Sequence, residues 1–347
     1  MKIAPIIHEI EARKGIDLQY RLIHTGQHYD KKMSESFFDQ LNIPKPSINL
    51  GVGSGTQAEQ TGGIMIGYEK AIAQQRPDVC IVVGDVTSTL ACTIVAKKAG
   101  VIVAHVEGGI RSGDQTMPEE VNRIATDSIC DVFYTTSRLA NENLNRLGHK
   151  PEQIVFVGNT MIDTLRANES RLVQPPVWKE LDLDNSNYFV LTLHRPANVD
   201  EEAKLNHFLK TIAEGARGLP VIFPIHPRTK KIFEKSAESF PNIQLVDPLG
   251  YLEFNYLVKH SKAMITDSGG ITEETTVMGV PCMTLRDNTE RPETITVGTN
   301  ELVGTNPEDL KPYLDKLFNG EWKKGSIPEL WDGKTSPRII DHLITLS

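Results

Sequence analysis

An apolar run, Ala263–Thr266, ends in Asp267-Ser268-Gly269-Gly270, and a helix-compatible segment from Ile271 to Gly279 follows at once. A strand that turns into a helix on small residues points backbone N–H groups, and the positive end of the helix dipole, at the turn. That arrangement suits a phosphate. Glu274 falls about one turn into the helix. A carboxylate there is poor company for a phosphate but can accept hydrogen bonds from ribose hydroxyls. A nucleoside diphosphate presents both groups at that spacing. A plainer reading, with the glycines for packing and Ser268 as an N-cap, accounts for the turn alone; it gives no reason for the acidic pair Glu273-Glu274.

In open parallel sheets, ligands bind beyond the carboxyl ends of the strands. The apolar run Val79–Val83 ends in Gly84-Asp85, and Val101–Val106 ends in Glu107-Gly108-Gly109 with Arg111 close behind. Tyr188–Leu193 ends in His194-Arg195, and Val221–Ile225 in His226-Pro227-Arg228. Asp85 also reads as a cap for a helix starting near Thr87. Glu107 is harder to dismiss, because a glycine turn does not require a carboxylate. The two His/Arg ends form an anion-friendly pair. Met117-Pro118-Glu119-Glu120 is a good helix start, and it leaves Glu119 as a further candidate. Gly51–Thr56 lacks the Lys-Ser/Thr of a phosphate loop and reads as a flexible, closing loop. One half of the chain thus supplies carboxylates, and the other a cradle for a diphosphate and a ribose. Carboxylates facing the sugar of a sugar nucleotide suit proton abstraction on one face and proton return on the other. With no metal-binding cluster and no dinucleotide fingerprint in the sequence, oxidation of the sugar is not expected.

These residues sit on an alternation of apolar β-branched runs and helical patterns that repeats about ten times, which predicts an α/β fold of parallel sheets covered on both faces. The predicted strands are Gln19–Thr25, Val79–Val83, Val101–Val106, Val132–Thr136, Ile154–Val157, Tyr188–Leu193, Val221–Ile225, Ile243–Val246, Ala263–Thr266 and Pro281–Leu285. Helical patterns include Gln57–Gln75, Thr87–Ala99, Glu119–Cys130, Glu201–Arg217 and Thr229–Ser239. The polar segment Asn168–Asn187, with Pro175-Pro176, predicts a break between two doubly wound Rossmann-like domains, 1–168 and 188–335, facing each other across a cleft. The last helical pattern, Pro337–Leu346, is expected to cross back to the first domain. The chain opens on a helical pattern, Ile3–Arg13, where a doubly wound domain usually opens on a strand, so the first strand reads as missing.

A length of 347 residues accommodates two such domains, and 24% charged with 39% hydrophobic residues is an ordinary globular balance. The net charge of −8 argues against a nucleic-acid partner. No apolar run approaches bilayer length and the N-terminus has no signal-peptide pattern, so a cytoplasmic location is expected. The four cysteines, Cys80, Cys92, Cys130 and Cys282, form no C-x-x-C pair and read as free thiols.

Taken in order, Gly84-Asp85, His105-Val106-Glu107-Gly108-Gly109-Ile110-Arg111, Pro118–Arg123, Gly158-Asn159-Thr160, Asp267–Glu274 and Arg286–Glu293 closely resemble the motifs of the non-hydrolysing UDP-N-acetylglucosamine 2-epimerases. The resemblance runs from Lys2 to beyond Arg291. It implies the GT-B architecture, a homodimer, no added cofactor or metal, and interconversion of UDP-GlcNAc and UDP-ManNAc for cell-surface polysaccharides. It assigns acid/base work to Asp85, Glu107 and Glu119, with His194 assisting. It places Ser268, Gly269 and Gly270 at the β-phosphate, Glu274 at the ribose and Phe254 by the uracil. Lys2 and Arg291 would balance phosphate charge, and His226 would line the same pocket. The family's opening strand and its Gly-Thr-Arg-Pro-Glu loop have no counterpart before Lys2, which implies reduced activity and stability unless the true start lies upstream. Gln27-His28 and Met33 match part of the regulatory substrate site of bacterial members. Gly62-Gly63 stands where an arginine is usual there, which argues against allosteric activation. The competing readings are a GT-B glycosyltransferase, a hydrolysing 2-epimerase and a non-catalytic sugar-nucleotide binder.

Overall fold

Alternating side chains along the predicted strands separate into two apolar layers, as parallel sheets buried on both faces require. In the computed structural model, which describes residues 1–15, 17–26, 37–225 and 240–346, the chain forms two units. One is Met1–Ala167 with Glu329–Ser347, and the other is Asn168–Pro328.

The first unit opens on helix α1 (Ala4–Ala12), with a proline in its first turn. Two short strands follow, β1 (Ile23–His24) and β2 (Ile48–Asn49), paired in parallel. Next come α2 (Gln57–Gln74), β3 (Val79–Val83), α3 (Thr87–Lys98), β4 (Ile102–Val106), α4 (Pro118–Asp127), β5 (Val132–Thr135), α5 (Arg138–Arg146), β6 (Ile154–Phe156) and α6 (Thr160–Asn168). Strands β3 to β6 make a four-stranded parallel sheet in that order, with Cys80 opposite Val103 and His105 opposite Phe133. The predicted strand Gln19–Thr25 shrinks to two residues, because the partner β2 is only two residues long and an unpaired run is not a ladder. Gly51–Thr56, read as a closing loop, leads into a capping box: Thr56 accepts from Glu59 N and Glu59 accepts from Thr56 N.

The second unit holds β7 (Phe189–Thr192), α7 (Glu202–Gly215), β8 (Val221–Pro224), β9 (Ile243–Val246), α8 (Tyr251–His260), β10 (Ala263–Thr266), α9 (Gly269–Met278), β11 (Cys282–Thr284), β12 (Asn300–Leu302) and α10 (Lys311–Phe318). Its six-stranded parallel sheet has the order β12-β11-β10-β7-β8-β9. Phe189, Leu191 and Ile265 face one apolar cluster, while Tyr188, Val190 and Met264 face the other. The order reverses at β7, so a topological switch point lies between the carboxyl ends of β7 and β10. Of the predicted helices, Thr229–Ser239 lies outside the described residues.

The final helix, α11 (Thr335–Leu343), belongs to the first unit. Arg13, the C-cap of α1, reaches Asp341 at 2.5 Å and the Pro337 carbonyl at 3.1 Å. Asp163 accepts from the first amides of α11, Thr335 N at 3.0 Å and Ser336 N at 2.6 Å, and so takes the place of a local cap. Ahead of it, Trp331 is buried and donates its indole N–H to the Thr136 carbonyl. Among the described residues no helix is long and apolar enough to cross a membrane.

Candidate functional site

In the first unit, the ends of β3 and β4 carry the candidate carboxylates Asp85 and Glu107. Gly84 follows β3 at φ +71°, and a Cβ there would sit 3.3 Å from Lys2 Nζ and 3.8 Å from a Glu107 carboxylate oxygen. The absence of a side chain therefore makes room for an ion pair, Lys2 Nζ to Glu107 Oε2 at 2.5 Å. Glu107 is buried and adopts φ +75°, a left-handed conformation that a non-glycine residue takes only under constraint. The constraint comes from its neighbours. Glu107 N bonds the Tyr134 carbonyl, and Gly109 passes so close to α5 that a Cβ would lie 2.4 Å from the Ala140 carbonyl oxygen.

Asp85 is gripped from α4. Arg123 donates to its Oδ2 from Nε at 3.0 Å and Nη2 at 2.5 Å, a forked contact, and Asn122 Nδ2 donates to the Asp85 carbonyl. The third arm of Arg123 reaches Glu120 Oε2 at 2.7 Å. Glu120 also accepts from Ser112 N, Ser112 Oγ and Gly113 N, which fixes the loop after Glu107. Burial pushes the Glu120 carboxyl up, but the bonds from Ser112, Arg123 and Gly113 outweigh it and hold the group below its usual range. Glu119, the candidate from sequence, is half-buried on the same turn, and it is Glu120 that enters this network.

Beneath the two carboxylates lies a buried dyad. His105 Nδ1 meets Asp127 Oδ1 at 2.7 Å and Nε2 meets the Gly84 carbonyl at 2.8 Å. Both partners are acceptors, so both ring nitrogens donate and the ring is an imidazolium. Burial alone would lower the His105 pKa; the bonds and charge of Asp127, with Gly84, raise it instead. Asp127 Oδ2 accepts from Gly109 N at 3.0 Å and pairs with Arg111 at 2.6 Å. Burial pushes the Asp127 carboxyl up, but His105 and then Arg111 outweigh it and hold it below its usual range.

In the second unit, Asp267 is the organising residue at the switch point. Fully buried, it accepts from His194 N, Arg195 N and Asn198 Nδ2, and from His194 Nδ1 at 2.7 Å. Burial pushes its carboxyl up, and His194 with the two backbone amides outweighs that and holds it down. His194 itself presents a side chain that is 58% exposed, so it is held at one nitrogen and open at the other end. Helix α9 then starts at Gly269. Ser268 occupies the N-cap position by backbone angles, but its hydroxyl makes no capping bond, contrary to the plainer reading of the turn. Gly269 and Gly270 form the first turn of α9, and Glu274 follows, buried, accepting from Tyr251 Oη at 2.8 Å. Burial raises the Glu274 pKa to about 7. Arg291, also buried, pairs with Glu273. Phe254, on α8, is half-buried beside the Tyr188 cluster. His226 lies outside the described residues, as do Gln27, His28 and Met33. Among the described residues, no group of three metal-ligating side chains occurs.

Arg123, Asp127, Glu120, Tyr251 and Asp267 were not singled out from sequence as functional residues. A signal existed for the first three. Glu120, Arg123 and Asp127 stand at i, i+3 and i+7, one face of α4, and that face is buried.

Two Rossmann-like units of the GT-B class, one with carboxylates at its strand ends and one with a helix-start cradle, define an enzyme of nucleotide-sugar chemistry. The family model described as UDP-N-acetylglucosamine 2-epimerase matches residues 8–344. The chain is 42% identical to the UDP-N-acetylglucosamine 2-epimerase of Methanocaldococcus jannaschii, over 98% of this chain and 94% of that protein. It is 40% identical to the UDP-2,3-diacetamido-2,3-dideoxy-D-glucuronate 2-epimerase of Pseudomonas aeruginosa, over 94% and 91%. The crystal structure of the M. jannaschii enzyme in complex with UDP-GlcNAc and UDP superposes with a TM-score of 0.87 at 40% identity, covering 99% of this chain and 96% of that one. The chain belongs to the UDP-N-acetylglucosamine 2-epimerase family, and it is an epimerase by class.

Proposed function

We propose that the chain interconverts UDP-GlcNAc and UDP-ManNAc by elimination and re-addition of UDP. The observation that carries the reading is the pairing of an uncapped helix start at Gly269 with a buried carboxylate one turn further on, on the same helix. UDP is placed with its diphosphate at Ser268–Gly270, its ribose on Glu274 and its uracil by Phe254. Asp85, Glu107 and Glu119 are assigned to the sugar. The C2 proton of the hexosamine is not acidic, so the C1–O bond breaks first or nearly so, and its electron pair leaves with the β-phosphate. A carboxylate takes the C2 proton as the C1=C2 bond forms, giving 2-acetamidoglucal and UDP. Protonation of C2 from the opposite face and return of the phosphate oxygen to C1 complete the inversion. We assign to Lys2 and His194 the task of offsetting the charge that develops on the departing phosphate.

Proton NMR in D2O tests this. UDP-GlcNAc without an acceptor should acquire deuterium at C2 and equilibrate with UDP-ManNAc. Release of free ManNAc would indicate a hydrolysing enzyme, and an acceptor requirement a glycosyltransferase. UDP-2,3-diacetamido-2,3-dideoxy-D-glucuronate belongs in the same assay, because the Pseudomonas relative is nearly as similar as the archaeal one. The same reading includes a homodimer, supported by exposed Ile66 on α2 and Val121 on α4. It also includes a reducing, cytoplasmic setting, supported by the four free thiols.

Glu274 makes the cradle pH-dependent. Its pKa near 7 lies above the ordinary 4.5, so the group stabilises the nucleotide-free fold most below pH 4.5, and that contribution is lost as pH rises through 7. Ribose hydroxyls donate best to the ionised form, so UDP binding releases a proton. Affinity for UDP is expected to rise about tenfold between pH 6 and 8, and Glu274→Gln should flatten the profile. Calorimetry in buffers of different ionisation enthalpy counts the proton; no release at pH 6.5 would remove Glu274 from the ribose.

A further inference from the structure

The space over Gly269 is filled with charge. A Cβ on this glycine would lie 2.9 Å from Glu290 Oε1 and 3.4 Å from Arg286 Nη1. Arg286 is 3% exposed and donates from Nη2 to Glu290 Oε2 at 2.7 Å and to Asn288 Oδ1 at 3.2 Å. Its other two donor nitrogens, Nε and Nη1, are buried with no hydrogen-bond partner among the described residues.

Two penalties meet here. A buried guanidinium with idle donors forfeits their hydration without replacement. A cation beside the start of α9 is also repelled by the positive end of the helix dipole. The single carboxylate of Glu290 offsets part of both. A diphosphate, with several oxygens and more than one negative charge, would satisfy the idle donors, the uncapped amides and the dipole together. The planar fork of arginine matches phosphate oxygens in a way that a lysine cannot. Arg291, to which the family resemblance pointed for this task, is paired with Glu273.

We propose that Arg286 is a diphosphate ligand of the α9 cradle, and that the Glu290 carboxylate holds the diphosphate's place until nucleotide arrives. This rests on the placement of UDP proposed above and adds two residues to it. On nucleotide binding, the Glu290 side chain swings off the helix start, and Nε and Nη1 of Arg286 take phosphate oxygens. The uridine end of the ligand does not touch either residue.

Titration calorimetry of UDP, uridine and pyrophosphate against the full chain and its Arg286→Gln, Arg286→Lys and Glu290→Gln variants tests the assignment. Arg286→Gln should weaken UDP binding roughly 10- to 100-fold, the range for charge-assisted bonds, with uridine affinity unchanged. Arg286→Lys should fall between, and Glu290→Gln should bind UDP several-fold more tightly. UDP affinity within about twofold of wild type in Arg286→Gln overturns the proposal and leaves the nucleotide reading standing. Equal losses for uridine and UDP overturn it as well, because they mark a structural role. Weaker UDP binding in Glu290→Gln overturns the place-holding half. If wild type ignores UDP yet binds pyrophosphate through Arg286, the anion site stands and the nucleotide reading falls.

Discussion

Glu107→Gln is expected to lower kcat for epimerisation roughly 10³-fold, about 4 kcal/mol of barrier, with the Kd for uridine unchanged. The substitution is nearly isosteric, so the φ of +75° is strained equally in both proteins and the backbone is not the variable. What changes is the ability to hold and return a proton, and the charge facing Lys2. Lys2 is one-third exposed, and water can hydrate its ammonium once the partner is neutral, so the fold should lose little. Uridine lacks the phosphates assigned to Lys2 and by the reading proposed above meets only the second unit, so its affinity serves as the control. Stopped assays of UDP-ManNAc formation and loss of C2 deuterium exchange should fall together. A variant that keeps more than about a tenth of wild-type turnover would remove Glu107 from the proton-transfer step.

Much of the architecture was legible because buried parallel strands have no polar face to disguise them. Val79–Val83, Val132–Thr135, Val221–Pro224 and Ala263–Thr266 are apolar runs in sequence and paired strands in space. The carboxyl ends of Val79–Val83, Val101–Val106, Tyr188–Leu193 and Ala263–Thr266 then offered Asp85, Glu107, His194 and Ser268 as candidates. Helix α4 was the opposite case. Its buried residues are Glu120, Arg123, Thr126 and Asp127, while Val121 is 52% exposed. Hydrophobic periodicity assumes that charge faces water, and it assigns the two sides of this helix the wrong way round. The inversion is affordable only because every charge on the buried face meets a partner: Glu120 with Arg123, Arg123 with Asp85, Asp127 with His105 and Arg111. Apart from Glu120–Arg123, these pairings cross from α4 to other elements, with His105 22 positions and Asp85 38 positions from its partner, and no local pattern encodes them. The left-handed φ of Glu107 was equally hidden, since only the flanking glycines advertise a turn and neither indicates which residue bears the strain.

The buried face of α4 also sets the second large expectation. Asp127→Asn should lower the unfolding free energy by about 3–5 kcal/mol at pH 7, the penalty for breaking a buried charge network at one member. Three donors converge on the carboxylate: His105 Nδ1, Gly109 N and an Arg111 guanidinium nitrogen. An amide has one acceptor oxygen to offer them and turns an N–H₂ toward the rest. The arrangement that leaves the fewest clashes makes His105 neutral, with Nε2–H still on the Gly84 carbonyl and Nδ1 accepting from the new amide. Gly109 N and Arg111 are then left to share what remains, so the 107–111 loop loosens directly behind Glu107. Turnover should therefore fall alongside stability, by roughly 10- to 100-fold, even though Asp127 is fully buried. The pH dependence separates this from a simple packing loss. Asp127 is depressed in the fold, so its contribution is present above the unfolded value near 3.9 and is lost as pH falls through its folded pKa. His105 is raised, so its contribution is complete below about 6.5 and is lost as pH climbs through its folded value. Wild type should then show a stability plateau bounded on the acid side by Asp127 and on the alkaline side by His105, and the variant should lose both edges. Denaturant midpoints from pH 3 to 9 trace the plateau, and the ¹⁵N shifts of His105 report its protonation directly. A neutral His105 ring in the wild type at pH 6, or a variant with an unaltered midpoint, would mean that the charge pair does not hold the loop.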